Sequence, residues 1–217
     1  YIAPLLSAAG GLLLLAGGVS ALPRWLMAAA SAGLVLIFFV LVRRHIAAYT
    51  LVMSAGAICW LLGNVLWALG QPVFQVVHWW AAFLVLTIVG ERLELSRIAR
   101  LTPAMQRQFV MAAGFYIIGV ALTGIQLDWG ARFSGVGMLA LAVWLLRFDI
   151  ARKTIKRSGL PRYIAACLLS GYVWLGVGGV FALSFGGVRA GIQYELLLHA
   201  LLLGFVFSMI FGHALII

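Results

Sequence analysis

Residues 190–217 read AGIQYELLLHALLLGFVFSMIFGHALII. A run of this length and apolarity crosses the roughly 30 Å hydrocarbon core of a bilayer as one helix, yet it carries Glu195, His199 and His213. Ionisable groups inside a span are costly, so they face a bundle interior, a ligand or a water-filled path rather than lipid. At ~100° and ~1.5 Å per residue, the fourteen steps from His199 to His213 stop about 40° short of four turns and rise roughly 21 Å. The spacing therefore predicts both imidazoles on one face, one near each membrane surface. Glu195, four residues before His199, shares that face.

The rest of the chain has the same character. Of its 217 residues, 65% are hydrophobic and 9% charged, and the mean hydropathy is +1.14. Those figures place it among integral membrane proteins. Windows of about 20 apolar residues predict eight spans, at 2–22, 25–43, 46–70, 73–91, 108–127, 130–148, 162–185 and 190–217. The expected architecture is all-α, one polytopic transmembrane helical bundle over 1–217, because the segments lack the alternation of barrel strands. The sequence opens at Tyr1 and closes within an apolar run, so it is expected to be a fragment of a longer chain.

The net charge of +10 does not point to nucleic acid, since the basic residues sit in short gaps between apolar segments. The gaps after spans two, four and six hold twelve of them, and those after spans one, three, five and seven hold three: Arg24, Arg132 and Arg189. The positive-inside rule predicts that the former gaps, and the start of span one, are cytoplasmic. The expected location is a bacterial-type inner membrane, with Asp149 part of a basic 147–162 loop against lipid headgroups. His199 then falls toward the outer leaflet and His213 toward the cytoplasm.

On the same topology, span four carries His78 in the outer half of the bilayer. Two histidines at matching depth on facing helices suit a bis-imidazole haem, so His78 and His199 are the candidate axial ligands and His213 a ligand of a second centre or a proton carrier. Trp79 and Trp80 beside His78 also fit an interfacial aromatic belt. Glu195 and Glu91 are candidates for a proton path. Glu91 lies at a depth comparable with His213, but about 220° around the helix from His78, so the two serve separate sites.

Other features have plainer readings. Glu94 and Arg97 are spaced as a helix-surface ion pair, and Asn64 in span three as an interhelical hydrogen-bonding group. The glycines of GYVWLGVGGV, 171–180, permit close approach of another helix or a cofactor. Cys59 and Cys167 form no CxxC or zinc pattern. No phosphate loop, nucleophile elbow or HExxH appears, no span repeats cations as a voltage sensor does, and no paired intramembrane acids suggest a cation pump.

The ending LLLHALLLGFVFSMIFGHALII, 196–217, with His199 and the Gly212-His213 pair in a many-span, histidine-poor background, resembles a helix of haem-copper membrane proteins. The resemblance is chiefly to NnrS-type proteins linked to nitric oxide stress and to relatives of oxidase and nitric oxide reductase catalytic subunits. The resemblance covers about a tenth of the chain, which lacks the closely spaced histidines and copper triad of the oxidases. It implies haem b, with copper in some members, on histidine ligands from several helices, which suits the candidates His78, His199 and His213, and it implies electron transfer or nitric oxide and oxygen chemistry, with a redox partner or larger membrane complex. Two other classes fit the same residues: a cofactor-free, proton-coupled transporter or channel using Glu195, His199 and His213, and an accessory subunit docking through its glycine-rich seventh span.

Overall fold

The computed structural model describes residues 2–17, 21–96 and 101–213, which are helical with no strand among them. In order, the helices are α1 (Ile2–Leu15), α2 (Leu22–Arg44), α3 (Ala48–Ala68), α4 (Val73–Leu95), α5 (Pro103–Thr123), α6 (Leu127–Phe148), the single turn α7 (Ala151–Thr154), α8 (Leu160–Phe185) and α9 (Ile192–His199). A π-helical segment, Ala200–Val206, follows α9 directly and leads into α10 (Phe207–His213). Among the described residues, seven helices are long and apolar enough to cross a membrane, the last being the continuous run Ile192–His213. The all-helical transmembrane architecture is as expected.

The expected first span is the exception. Helix α1 has 14 residues, about 21 Å at 1.5 Å per residue, against a core of roughly 30 Å. It stops because Gly17 takes φ +77°, a left-handed conformation that suits glycine and ends a helix. Helices α2, α4, α6 and α8 outrun their apolar windows, since backbone hydrogen bonding continues past the hydrocarbon edge, whereas α3 lies inside its window. Helix α5 begins at Pro103, five residues before its window and ahead of Arg107, because Thr102 accepts the Met105 amide at 3.3 Å and proline suits the first turn.

The chain divides into two compact units, 1–87 and 88–217, with the boundary inside α4. In the first, α1 lies along α2, with Gly10 against Met27 and the Pro23 carbonyl. Gly56 and Gly63 of α3 admit Leu86, Trp79 and Trp80 of α4. Asn64 ties this unit together: its amide donates to the Met27 carbonyl of α2 at 3.2 Å, and its carbonyl oxygen accepts the Trp80 indole N–H at 3.0 Å. Asn64 therefore bonds between helices, as read from the sequence, and Trp80 is engaged by a partner inside the unit.

In the second unit, α5 and α6 form a close antiparallel pair. A Cβ on Gly137 would strike the Tyr116 backbone, and one on Gly119 the Ser134 backbone. Helix α8 packs on α6 through Gly179 and Gly135, on the π segment through Gly178 and Leu201, and on α10 through Gly171 and Met209. The glycines proposed as a docking face for another subunit are thus spent on packing within this unit, as small residues commonly are in membranes. Apolar side chains such as Ile118 (57% exposed) and Val143 (60%) face outward, as they must where the solvent is lipid.

Candidate functional site

His199 closes α9 at the start of the π segment. Its Nδ1 lies 2.7 Å from the carbonyl oxygen of Glu195 one turn earlier. A carbonyl only accepts, so Nδ1 carries the proton, and a neutral ring then presents a bare Nε2 lone pair. Holding one ring nitrogen on a carbonyl is how proteins fix the tautomer of a ligating histidine. Glu195 orients His199 through its backbone, while its own side chain is exposed.

His199 lines a hollow of about 450 Å3 whose other walls include Trp174 and Phe181 of α8, Leu203, Gly204 and Ser208. That volume falls within the ~300–1,000 Å3 usual for small-molecule and cofactor sites, and an apolar wall with few polar groups is their usual chemistry. Gly204 allows the indole of Trp174 to lie directly on the π segment. π turns inside α-helices occur frequently at functional sites, and this one begins at the residue after His199.

The π segment also changes where His213 points. A π turn takes in nearly one residue more than an α turn, which sets everything after it back by about 100°. The roughly 40° offset expected between His199 and His213 becomes about 140°, so the single histidine face predicted for an unbroken helix is not formed. His213 instead lies with its Nε2 3.6 Å from Glu91 Oε1 of α4. Both side chains are partly open, 49% and 39% exposed. The structure thus brings together the pair that the sequence placed at one depth.

His78 belongs to the first unit, and its Nε2 is buried with no hydrogen-bond partner. Among the described residues no group of three or more histidine, cysteine or acidic side chains is gathered to hold a metal ion, so no copper triad is formed there. Cys59 and Cys167 are free thiols. The expected Glu94–Arg97 pair lies outside the described residues, because Arg97 does.

The strongest polar cluster was not foreseen. Arg92, counted from sequence among the basic residues after span four, lies in the last turn of α4 and is 7% exposed. Its Nε and Nη2 donate to the two carboxylate oxygens of Asp149, at 3.1 and 3.0 Å. Ser96 donates to the same carboxylate at 3.2 Å, and the Ala151 amide at 2.7 Å. Asp149 therefore fixes the α6–α7 turn to α4, and among six neighbouring cations in sequence nothing marked Arg92 as its partner. At the opposite end of α6, Asp128 pairs with Arg132 at 2.9 Å and accepts the Gly187 amide at 3.1 Å. Arg132 also donates to the Leu183 carbonyl at 2.6 Å, tying the start of α6 to the end of α8.

A family model described as a domain of unknown function, DUF8744, matches residues 1–217. No curated protein and no solved structure matches the chain.

Proposed function

The chain belongs to the DUF8744 family, and for this member we propose an integral membrane protein that holds a His-ligated haem b against the hollow at His199. The observation that carries the reading is the state of that imidazole: Nδ1 is committed to the Glu195 carbonyl, and the ring opens on an apolar, aromatic-walled hollow. The residues present fit the group. His199 would hold it through Nε2, Trp174 and Phe181 would line it with flat apolar surface, and Gly204 lets the indole lie on the π segment. Bound haem would contribute one-electron exchange or the binding of a small gas such as nitric oxide. The protein would tune that chemistry by the hydrogen bond that makes the imidazole more basic. The resemblance of residues 196–217 to haem-copper proteins supports the same assignment. The buried, unpartnered Nε2 of His78 makes it the next ligand to test, and the cytoplasmic orientation of the basic gaps belongs to the same proposal.

The test is a reduced-minus-oxidised visible spectrum with a pyridine haemochrome assay on protein purified after haem-replete expression. A b-type signal near one haem per chain, lost in His199→Ala and spectrally altered in His199→Met, is the expected result. No Soret band in the wild type, or an unchanged band in His199→Ala, overturns the assignment.

One observation favours a second reading, a proton path without a cofactor. The half-exposed Glu91 and His213 lie within 3.6 Å of each other, near enough for a water or a small rotation to pass a proton between them. On that reading the pair is the proton entry, and His199 with Glu195 lies further along.

A further inference from the structure

At the end of α6, a cavity of about 480 Å3 is lined by Arg147, Arg152, Lys153 and Lys156, with Met105 and Phe148 as its apolar walls. Asp149 also reaches this cavity, but its oxygens are taken by Arg92, Ser96 and the Ala151 amide. Arg92 offsets its charge, so Asp149 does not neutralise the lining. No ion pair joins the four cations to a carboxylate among the described residues, and all five acidic residues of the chain lie within those. Four positive side chains around one concavity repel each other, and a di- or monoanionic phosphate group relieves that repulsion.

A second hollow, about 250 Å3, adjoins this one and shares Arg147 and Phe148 with it. It runs between α5 and α6 over Ala112, Ala140, Val143 and Trp144. Its wall is held in place: the Trp144 indole N–H donates to the Met105 carbonyl at 2.9 Å, and its ring meets Phe109 edge-on at 4.8 Å. Val143 is 60% exposed, so the groove is open to the lipid side of α6. A basic cavity at a helix end, continuous with an apolar groove on the membrane-facing side, has the polarity of a phospholipid.

We infer that this end of the second unit binds an anionic phospholipid, its phosphate among Arg147, Arg152, Lys153 and Lys156 and an acyl chain in the α5–α6 groove. The site is independent of the haem reading, since it shares no residue with the His199 hollow.

The experiment measures lipid binding to the detergent-purified full chain by titration in native mass spectrometry. The probes are phosphatidylglycerol, phosphatidylcholine of the same acyl chains, and inorganic phosphate. Phosphatidylglycerol is expected to bind at least about tenfold more tightly than phosphatidylcholine. At about 5-fold per surface charge, Lys153→Gln with Lys156→Gln should weaken phosphatidylglycerol about 25-fold. The matched pair Arg43→Gln with Arg44→Gln should leave it unchanged. Val143→Trp, which fills the groove without touching a charge, should weaken both lipids. Equal affinity for the two lipids, or equal losses from the two charge pairs, overturns the site in favour of a general surface attraction. Full competition by inorganic phosphate, with Val143→Trp silent, overturns the lipid and leaves a free-phosphate pocket.

Discussion

Replacing Asp149 by alanine leaves the Arg92 guanidinium buried without its counter-ion. Their side chains are 9% and 0% exposed, so water cannot substitute for the lost carboxylate, and removing one partner of such a pair costs about 3–5 kcal/mol. The Ser96 hydroxyl and the Ala151 amide lose their acceptor in the same step, which places the effect toward the upper end. Replacing both members tells a different story. Arg92→Met with Asp149→Asn removes both charges; the amide oxygen keeps the Ala151 N–H and the amide NH2 can donate to the Ser96 hydroxyl, and exchanging a buried pair for neutral groups is often near neutral. The double variant should therefore recover most of the loss. The assay is denaturant unfolding in mixed micelles, followed by far-UV circular dichroism, on the wild type, both single variants and the double. The exposed pair of Asp128 and Arg132, 51% and 35% exposed, is the internal control, and breaking it should shift the midpoint far less. A loss below about 1 kcal/mol for Asp149→Ala, or a double variant no more stable than Asp149→Ala, would refute the reasoning.

Three further outcomes follow from the same geometry. Asn64→Ala removes the bonds to Met27 and Trp80. At about 0.6 kcal/mol for each interhelical bond in a membrane, it should cost about 1 kcal/mol in the same unfolding assay. Gly137→Leu drives a side chain into the Tyr116 backbone and should cost at least about 1–3 kcal/mol, while Gly114→Ala, whose added methyl meets nothing within 4 Å, should leave the midpoint in place. If the Glu91 and His213 pair admits protons, Glu91→Gln and His213→Ala should each abolish pH-driven dye quenching in proteoliposomes. Unaltered quenching in both variants would remove the proton-path reading.

Membrane spans are legible because apolar length is itself the physical requirement, and residues 25–213 show it plainly. Helix α1 misled because its window was counted through Gly17, where the backbone turns left-handed; average apolarity does not register a single φ. The Arg92–Asp149 pair was invisible for another reason: its members are 57 residues apart, and only packing of α4 beside the α6–α7 turn joins them. Asn64 was legible because a lone amide in a span has few options other than a neighbouring helix. His199 stood out because an imidazole is rare in a span, but the use of Glu195 through its carbonyl belongs to main-chain geometry, which side-chain types do not encode.

The π segment after His199 carries a consequence for how the last span is compared with its relatives. A helix with one surplus residue has two reading frames, one on each side of the surplus. Within 192–199 and within 207–213, equivalent positions recur at ordinary α spacing, but across 200–206 the count slips by one. A relative lacking that residue would have the shorter spacing, thirteen in place of fourteen, and its two histidines would fall in this chain's orientations, about 140° apart. A relative of equal length with an unbroken α-helix would turn its second histidine toward the first. The same two letters in an alignment column would then describe differently aimed side chains, so the two halves of the span are best compared as separate words.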